Sequence, residues 1–151
     1  MRVTPAPAYV EDTGTRKGRG VFAAKTFAAG ETVEVCPVIP FVEGPNELPV
    51  ELRRVVFNWG YLSGKRGPQC LALGYGSMYN HSNPANMRYH ADEANVALHF
   101  IAVRAIAAAE ELTVNYNAHG GGAEWSDNDW FERMGVEPLA DECGGGNPGG
   151  V

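Results

Sequence analysis

Hydrophobic and polar positions alternate in the stretch "VFAAKTFAAGETVEVCPVIPF", where Val33 and Val35 are separated by Thr32 and Glu34 in the manner of a half-buried strand. With "AAG" as a turn, this region predicts a run of short strands. Tyr9 and Val10 belong to an earlier apolar segment that stops at "EDTGTRKGRG". In "ELPVELRRVVFNWGYL", Leu52, Val55, Val56 and Trp59 recur at helical spacing, and Pro49 and Gly60 limit any helix to one or two turns. A second apolar run covers Cys70 to Leu73. Val96, Leu98 and Phe100 alternate, as do Ile101 and Val103, which predicts strands; the alanines of "AIAAAEE" equally allow a short helix. "LTVNYN" has strand character, and "WSDNDWFERMGV" is a short aromatic segment. "GGG" at 120–122 reads as a flexible connection, and the final "GGGNPGGV" carries no apolar payload and reads as disordered. Many short strands with Gly/Pro turns and little helix predict a mostly β single domain.

Length and composition sharpen this picture. A chain of 151 residues suits one domain, and 44% hydrophobic content is enough for a compact core. No apolar run reaches the length of a membrane span, and the first thirty residues lack the apolar block of a signal peptide. An intracellular, soluble protein is therefore expected. Cys36, Cys70 and Cys143 are odd in number and widely spaced, which predicts neither a disulfide framework nor a zinc site. Residues 1–90 carry ten Lys/Arg against seven Asp/Glu, whereas residues 91–151 carry two against eleven. The acidic second part disfavours binding to phosphate backbones and suits a cationic partner such as a basic peptide, although a solvated acidic face has the same composition.

Candidate chemistry narrows by elimination. His81, His90, His99 and His119 show no metal-ligand spacing, and no metal is expected. "GTRKGRG" matches neither phosphate-loop nor dinucleotide-loop patterns, although Gly18 and Gly20 allow backbone to pass close to a small ligand. Ser77 and Ser82 lie near His81 without a nucleophile elbow or a local acid. The tyrosines are unusual. Tyr61, Tyr75, Tyr79, Tyr89 and Tyr116 offer flat apolar walls tipped with hydroxyls, able to hold a lysine stem and its amine, although composition alone equally allows most of them to be core or surface tyrosines.

Three segments then occur in a telling order. "KGRGVFAAKTFAAGETV", "YNHSNPANMRY" and "AAEELTVNY" resemble the opening, central and late motifs of SET-domain protein lysine methyltransferases, especially the small viral and bacterial-type members. The resemblance covers about Tyr9 to Val136, so the chain is divided into a SET domain at 8–136 and an acidic, then Gly-rich tail at 137–151. It implies several small, mostly antiparallel sheets with few short helices. It also implies a pseudoknot-like C-terminal crossing between "YNHS" and "ELTVNY".

The resemblance further implies S-adenosylmethionine as cofactor and the side-chain amine of a protein lysine as methyl acceptor. Lys17, Gly18, Arg19, Gly20, Asn80 and His81 match the cofactor-binding stretches, with Trp130 packing against the cofactor from the C-terminal side. Tyr116 matches the catalytic tyrosine at the methyl-transfer pore, and Tyr61 and Tyr89 join it as lysine-pocket residues. The chain departs from the pattern twice. "NPAN" separates Pro84 from Asn86 by one residue, and no cysteine-rich zinc segment follows. Closure of the lysine channel then falls to Trp125, Trp130 and Phe131, or to a second subunit in a homodimer like those of some minimal members. A basic protein or histone tail such as that of histone H3 is the implied partner, with no nucleic acid or membrane. A nonhistone substrate and a catalytically silent module that grips a basic peptide are the alternatives.

Overall fold

A computed structural model describes residues 1–65, 67–117 and 129–134. The glycines at 120–122, Trp125 and the tail at 137–151 lie outside the described residues.

The N-terminal apolar segment becomes β1 (Ala8–Asp12), paired antiparallel with β2 (Arg19–Ala23) from Ala8↔Ala23 to Asp12↔Arg19. Polar side chains close the turn between them. Asp12 Oδ1 accepts from the Gly14 N–H at 2.7 Å, and the Thr13 hydroxyl donates to the Gly18 carbonyl at 2.7 Å. The glycine-rich segment is thus a side-chain-braced hairpin loop.

The long strand β3 (Thr32–Phe41) is the centre of a five-stranded sheet. On one side lie β4 (Val56–Phe57) and β5 (Gln69–Ala72); on the other, β7 (Met87–Asp92) and β8 (Ala97–Ala102), in the order β4-β5-β3-β8-β7. The simple alternation expected for β3 does not hold. Thr32 pairs with Ile101 and Glu34 with Phe100, which leaves Val33 as an extra, bulged residue. Val33 and Glu34 are consequently both buried, Cys36 and Val38 follow Glu34 inward, and Val35 turns to the half-exposed side. The bulge places a carboxylate inside the domain.

The helical spacing around Leu52 to Trp59 does not produce one helix. Two single turns, α1 (Val50–Arg53) and α2 (Trp59–Leu62), flank β4 instead. Val56 and Trp59 are buried, while Leu52 is exposed, so the sheet claims part of the apolar set. Val96 is also outside its expected strand, at φ 51° in the turn before β8, whereas Leu98 and Phe100 are fully buried. The alanine-rich stretch forms turns rather than a helix. Ile106 bridges Phe27, and Ala109 sits at φ 66°.

The third sheet is small and decisive. The two-residue strands β6 (Asn80–His81) and β9 (Thr113–Val114) pair in parallel, Asn80↔Thr113 and His81↔Val114. This is the expected crossing. Asn86, only 2% exposed, fastens it. Its Nδ2 donates to the Glu111 carbonyl at 2.7 Å, and its Oδ1 accepts from the Thr113 N–H at 2.9 Å. The displaced "NPAN" asparagine therefore still reaches the late motif, with Pro84 left exposed at the surface.

Among the described residues, no helix is long and apolar enough to cross a membrane. Replacing Asn86→Ala strands a buried N–H and a buried carbonyl at the crossing. The expected loss of stability is about 2–4 kcal/mol, measured by the guanidinium midpoint of unfolding.

Candidate active site

The crossing delivers Tyr116, just after β9, against the chain just before β6. The Tyr116 hydroxyl donates to the Tyr79 carbonyl at 2.5 Å, and its backbone N–H donates to His81 Nδ1 at 2.9 Å. The second bond requires an unprotonated Nδ1 and assigns the imidazole proton to Nε2 when the ring is neutral. The His81 ring is fully buried, with centroids 5.3 Å from Tyr116 and 5.4 Å from Phe131. His81 is therefore a structural wedge that sets the Tyr116 backbone.

The hairpin loop reaches the same place. Lys17 Nζ donates to the His81 carbonyl at 2.7 Å, and Asn80 Nδ2 donates to the Arg19 carbonyl at 3.0 Å and to Glu111 Oε1 at 2.7 Å. Gly20 is demanded by this approach. A Cβ there would lie 2.5 Å from Glu111 Oε1 and 2.9 Å from Thr13 Cγ2. Lys17–Gly20, Asn80, His81 and Tyr116 thus converge, although they come from three distant segments.

A short helix completes the cluster. In α3 (Asp129–Met134), the Trp130 N–H donates to Asn117 Oδ1 at 3.3 Å, and the Trp130 ring lies 4.8 Å from that of Tyr116. Phe131 is buried, edge-on to Trp130 at 4.9 Å. The described residues Trp130 and Phe131 therefore stand beside the tyrosine.

A cavity of about 200 Å³ opens next to Tyr116, lined by Phe57, Tyr79, Tyr89 and Trp130, with Arg54 and Gln69 farther round the wall. Tyr89 is held by an edge-on contact with Phe57 at 5.0 Å. Tyr61 is placed differently from its companions. It is 60% exposed on α2 and is not among the residues that line the cavity.

Two contributors had no distinctive signal in the sequence. The Tyr79 carbonyl is a main-chain group, so only the hydrogen bond reveals its importance. Asn117 looks like any polar residue after a strand until its side chain meets α3. The other two described histidines lie elsewhere, with His90 stacked on His99 at 5.1 Å and His99 Nε2 3.1 Å from Asp92, and His119 lies outside the described residues. Ser77 is occupied structurally, donating to the Val55 carbonyl at 2.6 Å.

The cluster has the donor set for S-adenosylmethionine. Lys17 brings positive charge suited to a carboxylate, and the half-buried Trp130 ring, backed by the buried Phe131, offers an apolar face.

Known proteins agree with this geometry. The SET domain family model matches residues 18–117. The chain is 35% identical over 117 residues to a histone-lysine N-methyltransferase, H3 lysine-37 specific, of Schizosaccharomyces pombe, covering 78% of each protein. Among solved structures, it resembles Arabidopsis thaliana SUVH6 in complex with SAM, with TM-score 0.59, 17% identity and 76% of this chain covered. It also resembles a humanized mutant of the Chaetomium thermophilum Polycomb Repressive Complex 2 bound to the inhibitor GSK126, with TM-score 0.60, 22% identity and 78% of this chain covered. The chain spans 29% and 16% of those two longer chains, and these likenesses describe the fold. The chain belongs to the SET-domain family of protein lysine methyltransferases, which use S-adenosylmethionine as methyl donor.

The two described cysteines lie outside this chemistry. Burial pushes the Cys70 thiol up to about 12, and burial followed by the Glu34 carboxylate pushes Cys36 well above the usual thiol range. Both thiols stay protonated in the fold, while the unfolded chain ionises from about pH 8.5, so they favour unfolding as pH rises past that point. At pH 8, iodoacetamide followed by peptide mass spectrometry is expected to label neither Cys36 nor Cys70 until guanidinium is added.

Proposed function

We propose that this chain methylates a lysine in a Lys/Arg-rich protein segment of the histone-tail type, with the unit at 8–136 as the working domain. The observation that carries this reading is the Tyr116 hydroxyl bonded to the Tyr79 carbonyl at 2.5 Å, beside the aromatic cavity. The S. pombe relative's H3 lysine-37 specificity supports a histone-like substrate. So does the acidic balance of residues 91–151, which suits a cationic peptide and opposes a phosphate backbone.

The residues act through position. Lys17, Gly18, Arg19, Gly20, Asn80, His81 and Trp130 would hold the cofactor, which when bound supplies a methyl group already activated on a sulfonium sulfur. Tyr89 and Tyr116 would flank the lysine amine in the cavity, and Tyr61, exposed on α2, would meet the substrate only outside that lining. With its proton committed to Tyr79, the Tyr116 oxygen keeps its lone pairs to orient the amine. The amine must be neutral to attack, and a free lysine holds its proton to about pH 10.4. Apolar walls from Phe57, Tyr89 and Trp130 disfavour the charged form and lower that barrier. Alignment of amine, methyl carbon and sulfur supplies the rest of the acceleration.

A homodimer, as in the minimal members the sequence resembles, belongs to the same proposal; light scattering of the purified chain tests it. Mass spectrometry of basic proteins, including histone H3, after incubation with the chain and S-adenosylmethionine tests activity, target and methylation state together. The absence of any added methyl group, with cofactor bound, would identify a silent module instead. Tyr116→Phe is expected to lower kcat about a hundredfold or more, with the cofactor Kd changed less than about twofold by calorimetry.

A further inference from the structure

The bulge in β3 buries a carboxylate whose partners lead to the catalytic tyrosine. Glu34 is 6% exposed, in the centre of the five-stranded sheet. Its Oε2 accepts from the Tyr79 hydroxyl at 2.6 Å, and its Oε1 accepts from the Tyr75 N–H at 3.0 Å. Tyr75 precedes the short 3-10 turn Gly76–Met78, so Glu34 holds both ends of the segment that runs into Tyr79. That segment is fitted closely around the carboxylate. A Cβ on Gly74 would collide with Glu34 Oε1, and a Cβ on Gly76 would lie 2.8 Å from Cys36 Sγ and 2.6 Å from Ala72 Cβ.

Tyr79 is therefore fixed at two points. Its side chain, 1% exposed and 4.9 Å from the Phe100 ring, ends on Glu34, and its carbonyl receives the Tyr116 hydroxyl. A buried carboxylate is costly unless it is fully bonded, and sheet packing alone would be served by an apolar residue at this site. The cost is understandable if the carboxylate performs a positioning task.

We infer that Glu34 and the Tyr79 hydroxyl form a buried positioning pair that sets where the Tyr79 carbonyl stands, and thereby where the Tyr116 oxygen meets the lysine amine. Neither group touches the reacting atoms. Both act through the main chain of residue 79. This inference rests on the reading of Tyr116 as the amine-orienting residue.

Three variants of the full chain test it with S-adenosylmethionine and histone H3 as the substrate probe: Glu34→Gln, Tyr79→Phe and the two combined. The combined variant leaves no buried charge short of a hydroxyl and provides a folded sample should either single variant unfold. Each is expected to lose about ten- to a hundredfold in kcat, with KM for the peptide and Kd for the cofactor changed less than about threefold. In a Tyr116→Phe background, Tyr79→Phe is expected to cause no further loss, because the group it positions is gone. Crystal structures provide a readout independent of turnover. The hydroxyl of Tyr116 is expected to lie beyond hydrogen-bond distance of the residue-79 carbonyl, or to be bonded at a poor angle, in Glu34→Gln or the combined variant.

Variants that lower the melting temperature but keep both kcat and that hydrogen bond would overturn the positioning role and leave a structural one. Losses that multiply fully with Tyr116→Phe would also overturn it. If Tyr116→Phe itself keeps full activity, the reading of Tyr116 fails separately, and the crystal structures still decide whether Glu34 sets the carbonyl.

Discussion

The parallel pairing of Asn80–His81 with Thr113–Val114 is the constraint on which the remaining architecture depends. Each strand is only two residues long, and neither could persist as an isolated ladder. The pairing holds because the surrounding groups satisfy one another. Asn86 closes its side-chain amide on Glu111 and Thr113, and His81 Nδ1 takes the Tyr116 N–H. Once these segments lie side by side, the positions of the hairpin loop, the tyrosine and the cavity follow from their places in the chain. A slip of one residue in a strand would reverse the faces and turn His81 away from Tyr116.

Tyr116 stands at the junction between two unlike environments. On one side are the Lys17 ammonium, the Asn80–His81 backbone and Glu111; on the other are Phe57, Tyr89 and Trp130. The polar side suits a zwitterionic ligand, and the aromatic side suits a long hydrocarbon stem ending in an amine. Methyl transfer needs both to meet along one line, with little reorganisation as charge moves. His81 behind the backbone, Tyr79 at the hydroxyl and Trp130 across the ring hold the tyrosine from three directions.

Much of this was legible in the sequence, because the three motifs carry residues with side-chain or glycine-specific duties. Lys17, Gly20, Asn80, His81 and Tyr116 meet as their order along the chain implied, and "ELTVNY" meets "YNHS" in the expected crossing. What stayed hidden was set by tertiary structure. Glu34 reads as the polar half of an alternating strand, and only the bulge at Val33 turns it inward. The spacing of Leu52, Val55, Val56 and Trp59 resembled a helix face because a strand between two single turns can imitate that period. Tyr61 carried a family likeness, yet the backbone of α2 leaves it exposed, outside the cavity lining. Local pattern records propensity, but the direction of a side chain near a bulge or a short turn is decided by distant partners.

The acceptor at Tyr79 has a consequence for inheritance. A carbonyl oxygen is supplied by every amino acid, so no substitution at residue 79 can delete the group that receives the Tyr116 proton. Mutation can only displace it. The genetic vulnerability of this bond is therefore spread over residues that shape the path of the chain, such as Gly74, Gly76 and Asn86. Variation at the two glycines would shift that oxygen although neither bears a side chain, and loss of the Asn86 amide would loosen the crossing that delivers Tyr116.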